Sequence, residues 1–455
     1  MMPSNEFNWY KLDNAARLFP SVSTVTATNV FRLSCRLKED VSPALLQKAV
    51  EQALDETPSF KVRLRKGLFW YYFEQNPLSP TVEEEHFYPC RKIDKGTNNG
   101  YLFYVTYFGK YIHIEYFHAL CDGTGAAAFL SKVVARYLLL AHPEELPGDL
   151  EIAASGVSHS AQTEDSFLRV ARKNEVKAKN EIRKKAFNPA SILTQNGEIK
   201  VIKGIMPLSQ VKAFAKSKNA TITEVLVAVL IYSIYMESFR FEPSNRSIEV
   251  CVPVNLRKFF PSETMRNFFA TIYAGANFYE HELSFDEVLE KVKSDMAQGL
   301  SEEKIYPKVM FYVGAQKNIA LRFVPLFLKN LVLRISFAKG EQTQSTVLSN
   351  LGQFNVPKEL EPYIERFEFL LSPTLQSRYK TSACSFGDVF VYCFTSNAEN
   401  TDIQRRFFSI LKENGVDVTI SCNMRETLPE SVKEKKKKEK KKRGEKNEVL
   451  QRMQA

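Results

Sequence analysis

Hydrophobic and polar positions alternate with a period of two over residues 31–37, then recur with a helical period over residues 43–54. The first pattern predicts a strand. The second predicts a helix whose apolar stripe is Leu45, Leu46, Ala49, Ala53 and Leu54, with Ser42 as cap and Pro43 in the first turn. Residues 62–64 and 69–73 read as strands, and residues 101–108 and 111–118 as a hairpin turning at Gly109-Lys110. A run of small residues then turns helical over residues 124–141, and Pro143 and Pro147 close it.

The second half has the same character. Thr221-Ile222-Thr223-Glu224 and Ser284-Phe285-Asp286-Glu287 are capping boxes that open helices to about residues 238 and 298. Residues 248–254, 271–279, 389–395 and 416–422 predict strands, with a helix over 403–414 between the last two. A polar connection over 156–197 separates the halves, and residues 165–185 within it read as a solvated helix. At 455 residues the chain exceeds the usual size of one hydrophobic core, so two domains of mixed α/β character are expected. No short-period repeat is visible, which excludes a solenoid.

Two apolar stretches bear on membranes. Residues 225–236 are too short to span a bilayer. Residues 319–337 are interrupted by Arg322, Pro325, Lys329 and Arg334, and read as a buried or amphipathic segment able to lie at a membrane surface. The opening residues, Met1 to Asn8, lack the basic region and apolar core of a signal peptide.

The formal charge of +10 is unevenly placed. Residues 433–455 carry eleven Lys and Arg against four Glu, a net of +7, which leaves +3 for the other 432 residues. A nucleic-acid-binding fold carries its basic residues on one face of the folded part, so no nucleic-acid partner is expected. The tail itself predicts disorder, with an anionic membrane surface or an acidic carrier protein as its candidate partner. The seven Cys show no CxxC and no regular spacing, the pattern of reduced thiols in a cytoplasmic protein.

The most informative chemistry is His118-Ala119-Leu120-Cys121-Asp122-Gly123, set between a strand and a helix. Six His, twelve Asp and 18 Gly would place His-x-x-x-Asp-Gly by chance about 0.006 times per chain. A His at a strand end can present a neutral imidazole to a cleft. Asp122 can hold the turn, or simply cap the following helix. His113 and Glu115 share a strand face opposite to that of His118, so the three do not converge on a metal, and no metal site is expected. Neither a GxxxxGK[ST] phosphate loop nor a GxSxG elbow occurs.

These residues resemble the HxxxD(G) acyltransferase superfamily, which includes chloramphenicol acetyltransferase, peptide-synthetase condensation domains and bacterial alcohol acetyltransferases. The resemblance spans about residues 5–425 and is strongest to the alcohol acetyltransferase branch. It is carried by Phe31-Arg32-Leu33, Arg63-Leu64-Arg65, Gly67-Leu68-Phe69-Trp70, Val252-Pro253-Val254-Asn255-Leu256-Arg257, Asn267-Phe268-Phe269 and Ser349-Asn350-Leu351-Gly352. Two features depart from relatives. Phe117 stands where condensation domains carry a second His, and Ser385-Phe386-Gly387-Asp388 is only a faint echo of the DFGWG signature of plant enzymes.

The resemblance implies a two-layer α/β fold of two chloramphenicol-acetyltransferase-like domains with an active-site tunnel at their interface. It divides the chain into a domain over 1–175, a linker over 176–200, a domain over 201–430 and a tail over 431–455. It implies acyl transfer from acyl-CoA, as co-substrate, to an alcohol or lipid-like hydroxyl, with no permanently bound cofactor and a monomeric enzyme. His118 would be the general base. Asp122 would face away from substrate and pair with Arg257, Gly123 would serve the turn, and Ser349, Asn350, Gly352 and Asn267 would lie near substrate. Transfer from a carrier protein or onto an amine or a lipid or polyketide hydroxyl, and an inactive relative retained for binding, are the alternatives.

Overall fold

The computed structural model describes residues 9–424 apart from 95, 149, 151–156, 174–182, 195–197 and 318–322. The basic tail, and residues 176–182 and 195–197 of the expected linker, therefore lie outside the described residues. The described residues up to Ser421 form one compact unit.

Three sheets organise this unit. The N-terminal half builds a five-stranded sheet in the order Ile364–Leu371, Val30–Leu37, Tyr111–Phe117, Phe103–Phe108 and Val82–Glu84. Helices Pro43–Asp55 and Gly123–Ala141 pack on one face of it and on each other, burying Leu46, Ala49, Val50, Phe129, Val133 and Val134. The C-terminal half builds a seven-stranded sheet in the order Phe269–Ala276, Ile248–Asn255, Thr346–Gln353, Tyr379–Phe386, Val389–Ser396 and Lys200–Pro207, with a strand beginning at Thr419 at the far edge. Helices Ile222–Ile234 and Phe285–Gly299, each opened by a complete capping box, pack together behind it. A small sheet of Trp9–Lys11, Tyr71–Gln75 and Val62–Lys66 completes the set. The fold is the expected mixed α/β arrangement of two similar halves around a shared cavity.

One strand crosses between the halves. Ile364–Leu371, late in the chain, pairs antiparallel with Val30–Leu37 from near its start, with Leu370 opposite Arg32 and Leu371 opposite Phe31.

Local outcomes differ from expectation in four places. Ser42 precedes its helix, but its side chain makes no cap bond; its backbone N–H donates to Tyr137 Oη at 2.8 Å. The expected solvated helix over 165–185 is described only as Ser166–Lys173, and it is not solvated. Phe167, Val170 and Ala171 are buried against Leu256, Phe268 and Val309, because the apolar residues fall on one side of its Lys and Arg. The helix that opens at Ile222 continues as a π turn over Tyr235–Phe239. With that turn it is long and apolar enough to cross a membrane, as is Gly123–Ala141, but both lie mostly buried in the protein core. The segment around residues 319–337 becomes helix Leu326–Glu341, preceded by Pro325.

Candidate active site

The hairpin strand ends at Phe117, paired with Val30, so His118 leaves the sheet edge with its N–H donated to the Asn29 carbonyl at 2.9 Å. The next residues turn sharply. Asp122 takes extended backbone angles and begins helix Gly123–Ala141 by accepting from the Thr124 and Gly125 N–H groups at 3.1 and 3.0 Å. A carboxylate at this position also suits the positive end of the helix dipole.

A second loop meets this turn. The register of the C-terminal sheet pairs Asn255 with Phe269, so residues 256–268 leave and return at one point. That closure brings Arg257 and Asn267 to the motif. Arg257 Nη1 lies 2.8 Å from Asp122 Oδ2, and the Phe268 N–H donates to the same oxygen at 2.8 Å. The remaining Arg257 donors reach the Thr264 and Arg266 carbonyls and Asn255 Oδ1. Asp122 thus caps its helix and also forms an ion pair, both away from the imidazole.

Asn267 fixes the imidazole. Its Nδ2 donates to the His118 carbonyl at 3.0 Å and faces Asp13 Oδ2 at 3.4 Å. Both partners accept, so the amide oxygen must be the atom 3.0 Å from His118 Nδ1. An amide oxygen only accepts, so Nδ1 carries the proton and Nε2 keeps its lone pair. Sequence order had placed Asn267 near substrate. Its side chain is fully buried behind the ring and does not line the cavity, so it orients His118 instead.

Aromatic rings enclose the imidazole. Phe19 stacks on it at 4.4 Å between centroids, Phe31 approaches edge-on at 5.1 Å, and Phe269 lies at 5.4 Å. Burial among them lowers the His118 pKa below its ordinary 6.5, against the upward pull of its own backbone carbonyl, Asp122 and Asn267. The ring is therefore neutral at pH 7. Behind Asn267, burial raises the Asp13 carboxyl to about 7, although the Ala16 N–H donates to it at 2.7 Å.

The ring's open edge contributes to a cavity of about 1470 Å³. Its walls come from both halves of the chain: Phe31, His118 and Thr124 from one, Val252, Phe269 and Ser349 from the other. This exceeds the roughly 300–1,000 Å³ of ordinary small-molecule sites.

The other expected positions divide. Gly123 and Asp122 line the cavity with His118, as do Ser349 and Asn350. Asn350 is partly engaged, because its Nδ2 donates to Thr223 Oγ1 at 3.1 Å and its Oδ1 accepts from the Gly352 N–H at 2.9 Å. Gly352 is not on the wall. It sits in the irregular end of strand Thr346–Gln353 with φ +76°, a backbone requirement rather than a substrate contact. Gly123 approaches Leu351, where a Cβ would lie 2.5 Å from a terminal methyl of that side chain.

Sequence reasoning missed several residues. A Cβ on Gly125 would stand 2.1 Å from the Met265 carbonyl oxygen, so this second glycine sets how closely the helix meets the arginine loop. The Gly-Thr-Gly spacing was its only signal. Asn255 donates to Thr124 Oγ1 at 3.1 Å and ties strand Ile248–Asn255 to the motif helix. Phe19 has no sequence signal as a partner of His118. Cys121 is a buried small residue whose thiol is pushed well above its ordinary range by burial, so it is no thiolate. His113 belongs to another network, bonding Ser34 Oγ at 2.7 Å and lying 3.3 Å from Glu85.

The comparison with known families matches this architecture. Residues 140–385, more than half of the chain, match the family described as alcohol acetyltransferase, and the chain belongs to that family. The matched region begins after the His118 motif and includes Arg257, Asn267 and Asn350. No curated protein matches by sequence. Among solved structures, polyketide synthase associated protein 5 from Mycobacterium tuberculosis superposes with a TM-score of 0.58 at 14% identity, covering 90% of this chain and 98% of its own. The first condensation domain of the CDA synthetase gives 0.57 at 13% identity, covering 91% and 100%. TRI101 of F. graminearum, solved with coenzyme A and deoxynivalenol, gives 0.59 at 10% identity, covering 90% and 99%. At these identities the likeness establishes the fold: two condensation-domain-like, chloramphenicol-acetyltransferase-like halves.

Proposed function

We propose that this protein transfers an acyl group from acyl-CoA to the hydroxyl of an apolar alcohol, with His118 as general base. The observation that carries the reading is His118 on the cavity wall with its Nδ1 3.0 Å from Asn267 Oδ1, a contact that places the proton on Nδ1 and leaves Nε2 as the free base. Its lowered pKa supplies a neutral base at pH 7. Family membership supports acyl transfer, and the neighbour solved with coenzyme A supports that donor.

In this reading the acceptor O–H gives its proton to Nε2 as its oxygen attacks the thioester carbonyl. The tetrahedral adduct collapses, breaks the C–S bond and leaves the ester. The imidazolium then returns the proton to the departing thiolate, giving free CoA and neutral His118. A base so placed contributes roughly 10²–10⁴-fold. Asp122 and Arg257 hold the turn and take no proton. Ser349 Oγ, and the Asn350 amide hydrogen not used on Thr223, are the polar groups proposed to meet substrate. The apolar lining, with Phe31, Val252, Phe269 and Leu371, favours a hydrocarbon-rich acceptor over a sugar or amino acid.

The test follows free thiol from acetyl-CoA and longer acyl-CoAs, with and without alcohols. Alcohol-dependent thiol release, lost in a folded His118→Ala variant, is expected. Silence with every acyl-CoA and alcohol, or undiminished turnover in His118→Ala, would overturn the proposal.

A further inference from the structure

Helix Leu326–Glu341 is built inside out. Three of its polar side chains turn toward the protein. Lys329 Nζ donates to the Phe69 carbonyl at 2.9 Å, Asn330 Nδ2 to Tyr71 Oη at 3.1 Å, and Arg334 Nε to the Ser21 carbonyl at 2.8 Å. Ser21 Oγ also donates to Asn330 Oδ1 at 2.7 Å. Its apolar side chains face outward at four-residue spacing: Phe327 is 68% exposed, Leu331 57% and Ile335 51%. An ordinary surface helix shows the reverse, an apolar stripe inward and a polar face outward.

The stripe continues beyond the helix. Phe323 lies exposed just before it. The Leu326 N–H donates to the Leu68 carbonyl at 3.0 Å, which joins the helix to the turn carrying the exposed side chains of Leu68 and Trp70. Large contiguous apolar surface of this kind marks an interaction site. The same helix also walls the reaction cavity through Val332, Leu333 and Phe337, so the patch lies beside the cavity.

Charge selects the occupant. Between Glu303 and Glu341 the sequence has seven basic residues and no acidic one. Of the three in this helix, Lys329 and Arg334 are bonded inward, so the exposed cations of this face are Lys339 in the last turn and Lys66 beside Leu68. Apolar side chains with interspersed cations and a neighbouring Trp are the composition of a segment lying in the headgroup region of an anionic bilayer. We propose that this face docks on an anionic phospholipid membrane, with Phe327, Leu331 and Ile335 entering the acyl boundary and the cavity opening toward the lipid. Uptake of a lipid-borne acceptor through that opening rests on the proposed acyl transfer; the docking itself does not.

The experiment uses the full chain with phosphatidylcholine vesicles, with and without phosphatidylserine, read by flotation and by quenching of tryptophan with brominated lipid. The chain has two Trp, Trp9 and Trp70, and Trp70 lies in the docking face. The protein should float with phosphatidylserine vesicles, and its fluorescence should be quenched. The variant Phe327→Ser/Leu331→Ser/Ile335→Ser should bind more weakly by on the order of tenfold per side chain removed. Its thermal midpoint and its turnover of a water-soluble alcohol should be unchanged, since none of the three lines the cavity. Three results would overturn the proposal: failure of the wild type to float, flotation of the variant equal to wild type, or flotation without quenching, which would assign docking to the basic tail. A wild-type dimer that the triple variant separates, with no vesicle binding, would show a second copy as the occupant and would also overturn it. Vesicle binding without any acyl transfer would sink the enzymatic reading and leave the docking standing.

Discussion

Replacing Asp122 by Asn tests the division of labour at the motif. The carboxylate accepts four hydrogen bonds, two on each oxygen: Thr124 and Gly125 N–H on Oδ1, Phe268 N–H and Arg257 Nη1 on Oδ2. An amide offers one acceptor oxygen, so either orientation sets an NH₂ against two donors. With the oxygen kept on the helix, the losses are two charge-assisted bonds, from Phe268 N–H and Arg257, of about 1.5–3 kcal/mol each. Breaking a buried ion pair costs about 3–5 kcal/mol when the remaining charge is stranded. Arg257 is not stranded here, because it keeps the Thr264 and Arg266 carbonyls and Asn255 Oδ1. The loss should therefore sit near the low end, about 3 kcal/mol. Urea unfolding read by tryptophan fluorescence and circular dichroism measures it, with soluble yield as a second reading. The double variant Asp122→Asn/Arg257→Gln should lose less than the two single losses combined, by at least about 1 kcal/mol. Specific activity of the folded fraction should fall about tenfold, because the turn carries His118. A variant that unfolds at the wild-type midpoint yet has no activity would refute the reasoning and put Asp122 in the chemistry.

Two further outcomes follow from the same geometry. Asn267→Asp sets a carboxylate beside His118 Nδ1, which favours the imidazolium; the acidic limb of kcat/KM should move to higher pH, whereas the wild type should decline only as pH falls through a value below 6.5. An unmoved limb would mean that Asn267 does not set the state of the ring. Gly125→Ala should destabilise more than Gly123→Ala by at least about 1 kcal/mol in urea unfolding, since the added methyl meets a backbone carbonyl at the first site and the end of a flexible Leu351 side chain at the second. Equal losses would contradict the close approach of Gly125 to Met265.

The sequence made the locally encoded parts legible. Both capping boxes, the hairpin and the motif helix depend on residues within a few positions of one another, and each formed close to where it was expected. Strands Ile364–Leu371 and Tyr379–Phe386 were passed over because their alternation is blurred by burial on both faces, and Thr346–Gln353 because its second half, Ser-Asn-Leu-Gly-Gln, reads as a turn. The site shows the same limit. His118 and Asp122 stand out through spacing. Phe19 and Asp13 become neighbours of the site only through long-range closure, about a hundred residues before the motif in the chain. Asn267 was found by its place in the family order but assigned the wrong neighbour, since only coordinates reveal that its amide lies behind the ring. The helix over Leu326–Glu341 was read as buried or amphipathic; its polarity is inverted, which composition alone does not reveal.

The strand Ile364–Leu371 has a consequence for how the chain is made. During synthesis the ribosome releases the whole N-terminal half long before this strand exists, so the edge of Val30–Leu37 stays bare for more than two hundred residues of elongation. An exposed strand edge recruits other strands. Fragments ending near residue 200 should therefore clump rather than fold, and chaperone protection should be needed until the last third of the polypeptide emerges.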